Sequence, residues 1–192
     1  KNKTYLWIFS INNNKPILVT KDEYDYSKKF GKKRSFEYLL SRTFLREAIS
    51  DLFNVSPLSL KIDARPGQKP SLLNRRGVIS LSHCSDAILI GWSSNEIGVD
   101  IERKDRSFNH LSIYKNYLTE KEKSMIDKSF LKDNFLKTWM AKECGTKITN
   151  QSLSKSINFW EYCGNNKNLY NLNSKKIYIV DIFDFKDWFI AI

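Results

Sequence analysis

Apolar and polar positions alternate with two different periods along the chain, and the changes of period mark its elements. Tyr5–Phe9 follows period two, which predicts a first strand running into the turn-rich NNNKP. Between Ser35 and Phe53 the apolar residues Phe36, Leu39, Leu40, Phe44, Leu45, Ala48, Ile49, Leu52 and Phe53 recur every 3.6 residues. That spacing predicts a long helix with Ser35 as its N-cap and Glu37 in its first turn. Asn54–Arg76 holds three of the four prolines and reads as irregular. Strands are expected at Val78–Ser82, Ala87–Trp92 and Ile97–Ile101. Thr119–Lys128 opens on T-E-K-E, a capping box. A second long helix, from about Lys132 to Ile148, is expected to bury Phe135, Leu136, Trp139 and Met140. Strand-like runs at Ile157–Tyr162, Lys176–Phe185 and Trp188–Ile192 complete the pattern.

Both halves thus share an outline of strand, long helix and paired strands. This predicts an α+β fold of two similar lobes, each a small antiparallel sheet packed on a long helix. The lobes divide as residues 1–97 and 98–192, joined near Asn95–Gly98. No repeat of individual residues accompanies the shared outline.

Composition narrows the class. With 192 residues, 41% hydrophobic and 14% aromatic, the chain can bury a sizeable core and is too apolar for a disordered segment. No apolar run reaches the ~20 residues of a membrane-spanning helix, so no membrane partner is expected. The opening KNKTYLWIFSINNN lacks a small-residue cleavage site and reads as a strand rather than a secretory signal. Cys84, Cys144 and Cys163 are odd in number and widely spaced, matching neither a disulfide framework nor a C-x-x-C metal pair. A cytoplasmic location is the expectation. The net charge of +11 calls for an anionic partner. Nucleic acid, an acidic protein and a polyphosphate small molecule all meet that description.

Four segments carry candidate chemistry. In IGVDIE (97–102), strand alternation directs Asp100 and Glu102 to one side and Val99 and Ile101 to the core. Two carboxylates so close repel unless a cation lies between them, and an oxygen-only set suits Mg²⁺; two solvent-facing acids are the plain alternative. In WMAKECGTK (139–147), Trp139, Glu143 and Lys147 follow one another at one-turn intervals on a single helix face. Lys142 lies about 100° around the helix from Glu143. In SLSHCSD (80–86), His83 ends a strand, where it can donate to a phosphate or serve as a satisfied structural residue. In RPGQKPSL (65–72), Gly67 permits a turn and Pro70 holds Lys69 extended.

Read in order, GQKP (67–70), SHC (82–84), GVDIE (98–102) and WMAKECGTK (139–147) resemble the motifs of the 4′-phosphopantetheinyl transferase superfamily, particularly its surfactin-synthetase-activating (Sfp-like) type. The resemblance covers roughly residues 35–150. It implies a holo-[acyl-carrier-protein] synthase type of enzyme. Such an enzyme moves 4′-phosphopantetheine from coenzyme A to a serine of an acyl, peptidyl or polyketide carrier protein. It further implies a cleft between the lobes in which Asp100, Glu102 and Glu143 hold Mg²⁺, with Mn²⁺ as the alternative ion. His83 and Lys69 would contact the nucleotide phosphates with Ser82 nearby, Lys142 would help hold the coenzyme, and Lys147 would stabilise the leaving group. The family's 3′-phosphate residues lie upstream of the first long helix, where Lys33 and Arg34 lead a set that includes Lys28, Lys29 and Lys32. Arg42, within the helix, can face the same pocket. Glu122 falls near a further family acid. Cys84 replaces the last serine of the family's S-H-S. A monomer suffices if both lobes come from one chain.

The rival from another class is a basic nucleic-acid-binding protein, for which the cluster at 28–34 and five tryptophans speak. It leaves D-x-E and K-E-x-x-x-K without a role.

Overall fold

The computed structural model describes residues 3–11, 16–63, 68–73, 77–107, 116–126 and 131–192. Gly67 and Lys128, each read above from sequence, lie outside this set. The elements are β1 (Thr4–Ser10), α1 (Lys21–Ser27), α2 (Lys32–Phe53), β2 (Ile62–Asp63), β3 (Ser71–Leu72), β4 (Val78–His83), β5 (Ala87–Ser93) and β6 (Asp100–Arg103). They continue with α3 (Glu120–Met125), α4 (Leu131–Ile148), β7 (Trp160–Cys163), β8 (Asn168–Asn171), β9 (Ile177–Ile179), β10 (Ile182–Phe185) and β11 (Trp188–Ala191), besides a few short turns of helix.

The fold is α+β, with its strands in small antiparallel sheets. β1-β5-β4 and β10-β11-β6 form two of them, β7-β8-β9 a third, and β2-β3 a two-stranded ladder. Every residue of β5 is buried, because each of its faces meets a different layer. Ile88, Ile90 and Trp92 pack on Leu40, Phe44, Leu45 and Ile49 of α2. Ala87 and Leu89, on the opposite face, join Ile97, Val99, Ile101 and Ile190. On the far side, Leu136, Met140, Ala141 and Cys144 of α4 pack on Trp160, Leu169, Phe189 and Ala191. The layers therefore run α2, sheet, sheet, α4. Each fully buried aliphatic or aromatic side chain here stabilises the fold by roughly 1.5–3 kcal/mol.

Several expected boundaries move. α2 begins at Lys32 rather than after Ser35: the Ser35 N–H donates to Gly31 O and lies inside the helix. Phe36, expected on the buried stripe, is 52% exposed, because only the stripe from Leu40 onward faces β5. α1 was not expected from the sequence, where only the basic cluster at 28–34 was noted. Its signal was the box Thr20–Glu23, in which each side chain bonds the other's backbone N–H. The box at Thr119–Glu122 forms as expected. Ile157–Phe159 is a 3-10 turn, β8 was missed, and Lys176–Phe185 splits into β9 and β10, which enter different sheets. Strand β6 starts at Asp100, three residues later than expected. No helix of the described residues is long and apolar enough to cross a membrane.

Candidate active site

Backbone contacts decide where the acids stand. Ser80 and Ser82 lie on the face of β4 turned toward the start of β6. Ser80 Oγ accepts from Val99 N at 3.0 Å, and Ser82 Oγ donates to Asp100 Oδ1 at 2.6 Å. From the other side α4 comes so close that a Cβ on Gly98 would lie 2.1 Å from Cys144 O, so only glycine fits there. Ile97, Val99 and Ile101 enter the intersheet core. Asp100 and Glu102 are turned the other way, buried at the floor of a cleft.

Helix α4 adds two groups to that floor. Trp139 Nε1 donates to Glu143 Oε1 at 2.8 Å, one turn along the helix. Lys147, a turn further, donates to Val99 O at 2.8 Å and to Asp100 Oδ1 at 2.7 Å, and lies 3.5 Å from Glu143 Oε2. Burial, and then the Asp100 charge, push the Glu143 pKa up to about 7 against the pull of Lys147 and Trp139. Burial draws the Lys147 pKa down, but Asp100 and Glu143 outweigh it and the net shift is upward. Lys147 is therefore an ammonium throughout the neutral range.

The cleft has a volume of about 890 Å³ and brings together Ser82, His83, Asp100, Glu102, Glu143 and Lys147. One ligand oxygen from each of the three acids lies within 4.8 Å of the others. Asp100 Oδ2 is buried with no hydrogen-bond partner among the described residues. A clustered all-oxygen donor set with an unsatisfied buried oxygen fits a hard divalent cation such as Mg²⁺.

A second cavity of about 300 Å³ adjoins the cleft and shares His83, Cys84 and Glu37 with it. Lys33, Arg34 and Arg42 line it. Strand alternation explains the division: Ser82 faces the acids, while the exposed ring of His83 points to the α2 side. Enclosure by the cavity walls, and then the Arg34 guanidinium, lower the His83 pKa. Arg42 is only 7% exposed, with Nε and Nη1 lacking hydrogen-bond partners among the described residues. Its guanidinium carbon sits 4.9 Å from the Tyr38 ring centroid.

One expected site residue is placed elsewhere. Lys142 corrects the expectation of a coenzyme contact. Its side chain is fully buried, donating to Glu122 Oε2 at 2.8 Å and to Tyr117 O at 2.7 Å, on the side of α4 away from the cleft. The ~100° between neighbours on a helix accounts for this. Glu122 is correspondingly a structural partner, also accepting from Tyr162 N at 2.8 Å. Lys69 lines a small adjoining cavity with Lys147 and donates to Ile97 O at 3.1 Å. Desolvation lowers its pKa. Sequence reasoning missed Arg106, which reaches Glu102. It also missed Asp86, which accepts from Arg103 Nη1 at 2.5 Å and Trp188 Nε1 at 3.0 Å and ties the β4–β5 turn to β6 and β11. All five tryptophans pack against the cores, so core packing accounts for them without base stacking.

A search of curated proteins gave no match to the chain. A family model, described as the 4′-phosphopantetheinyl transferase superfamily, matches residues 96–191, half of the chain. The matched span contains Asp100, Glu102, Glu143 and Lys147. The chain therefore belongs to the 4′-phosphopantetheinyl transferase superfamily, and its reaction is phosphopantetheine transfer.

Proposed function

We propose that the chain moves 4′-phosphopantetheine from coenzyme A onto a serine hydroxyl of an acyl, peptidyl or polyketide carrier protein, releasing 3′,5′-ADP in a Mg²⁺-dependent reaction. The observation that carries this reading is the convergence of Asp100 and Glu102 from β6 with Glu143 and Lys147 from α4 in one cleft. Mg²⁺ held by the three acids would draw charge from the coenzyme pyrophosphate. Glu143, with a pKa near 7, accepts the serine proton as base. The serine oxygen then bonds the β-phosphorus, and the bond from that phosphorus to the bridging oxygen breaks. Lys147 offsets the charge left on departing 3′,5′-ADP. Ser82 and Lys147 aim Asp100 by sharing its Oδ1.

The nucleotide end of the coenzyme would enter the adjoining cavity, where Lys33, Arg34 and Arg42 meet its 3′-phosphate and His83 stands at the boundary. Residues 1–97 would then serve the nucleotide and residues 98–192 the chemistry. Because one chain supplies both sets, a monomer suffices, which supports the surfactin-synthetase-activating type. The charge of +11 suits an acidic carrier surface, and the free cysteines suit a reducing cytoplasm. Chromatography of a reaction mixture tests the proposal. 3′,5′-ADP should appear only when coenzyme A, Mg²⁺ and an apo-carrier are all present. Its formation without a carrier, or its absence with carriers of all three kinds, would reject it.

A further inference from the structure

Arg106 is a cleft-lining cation that the proposed chemistry leaves without a task. It stands just past the end of β6, and its Nη1 donates to Glu102 Oε1. The two partners differ in exposure: the Glu102 side chain is 9% exposed and that of Arg106 is 41% exposed. The acid is therefore buried, while the arginine meets it from the solvent side of the cleft. The base of its loop is anchored separately, because Arg103 binds Asp86 and also donates through Nε to Asp105 Oδ1 at 2.6 Å. The other two acids take their N–H donors from α4, Asp100 from Lys147 and Glu143 from Trp139. Among the described residues, Glu102 is the acid of the three paired with a partly exposed cleft-lining side chain from beyond β6.

We propose that Arg106 is a built-in counter-ion that occupies Glu102 in the cation-free protein, is displaced when a divalent cation binds, and so sets the affinity of the acid triad for that cation. This rests on reading Asp100, Glu102 and Glu143 as the cation site. A divalent ion engages carboxylate oxygens at ~2.1–2.5 Å. A guanidinium on the same carboxylate both takes up a lone pair and repels the incoming charge. Since Arg106 is partly exposed, water screens the pair and the competition is moderate, roughly three- to tenfold in affinity.

Mn²⁺ titration followed by electron paramagnetic resonance, without coenzyme or carrier, tests this. R106Q should bind Mn²⁺ roughly three to ten times more tightly than the wild type, and the charge-retaining R106K should stay close to the wild type. In an E102Q background the further change R106Q should make no difference. Equal or weaker binding by R106Q, tightening by R106K to the level of R106Q, or no Mn²⁺ binding by either wild type or R106Q would each overturn the proposal. With no substrate present, the readout is separate from the transferase reading. A protein that fails this test still gives 3′,5′-ADP if the proposed function holds.

Discussion

Ser82 on β4 donates its hydroxyl hydrogen to Asp100 Oδ1 at 2.6 Å, so a residue of the first half of the chain aims a carboxylate of the second. Lys147 donates to the same oxygen from the opposite side at 2.7 Å. With Oδ1 held by two donors, Oδ2 is left for other chemistry. Ser82→Ala removes one of the two donors but no core volume. It should lower kcat/KM roughly tenfold while costing only about 1 kcal/mol of stability. Steady-state kinetics beside urea denaturation checks both figures, and unchanged kcat/KM contradicts the aiming role.

Glu143 links pH to stability. Its folded pKa of about 7 lies above the ordinary carboxylate value of 4.5. Between those values the folded state binds more protons than the unfolded one, so this group's contribution is present at low pH and lost as pH rises through about 7. Glu143→Gln should therefore stabilise the cation-free protein at pH 8 by roughly 1–3 kcal/mol and leave it unchanged near pH 4. Urea titrations in chelator at both pH values measure this. A variant equally or less stable than wild type at pH 8 would falsify the assignment.

Lys142 and Glu122 form a pair that both side chains bury almost completely. Removing either partner strands a buried charge, at a cost of about 3–5 kcal/mol. Lys142→Met should lower stability by that amount and leave the coenzyme A affinity of the folded protein intact. Calorimetric titration alongside thermal melting distinguishes this from a coenzyme contact, for which affinity would fall and stability would hold.

Arg42 supplies the test of the second cavity. A buried guanidinium with unsatisfied Nε and Nη1 gains from an incoming phosphate without giving up an existing hydrogen bond at those atoms. Arg42→Met should weaken coenzyme A binding roughly tenfold and leave 3′-dephospho-coenzyme A almost unaffected. Equal loss for the two ligands would place the 3′-phosphate elsewhere.

What could be read from sequence was what local periodicity governs. Period two in IGVDIE put Asp100 and Glu102 on one side, and one-turn spacing put Glu143 and Lys147 on one helix face; the clefts and cores preserve both relations. Lys142 was misplaced because its partner Glu122 lies 20 residues upstream, where only tertiary packing brings it near. Arg106 escaped notice because no periodic element carries it. Helix α1 has seven residues and a single buried one, so its capping box stood without an apolar stripe to confirm it. Ser82 was expected near the coenzyme phosphates. Its hydroxyl bonds Asp100, a cross-strand relation that the sequence of β4 does not contain.

The most direct measurement is the mass of an apo-carrier protein after incubation with this chain, coenzyme A and Mg²⁺. The account predicts a gain of about 340 Da, one phosphopantetheine on the carrier serine, with the wild-type chain and no gain with Glu143→Gln. No gain with fatty-acid, polyketide and peptide carriers alike, or an undiminished gain with Glu143→Gln, would contradict it.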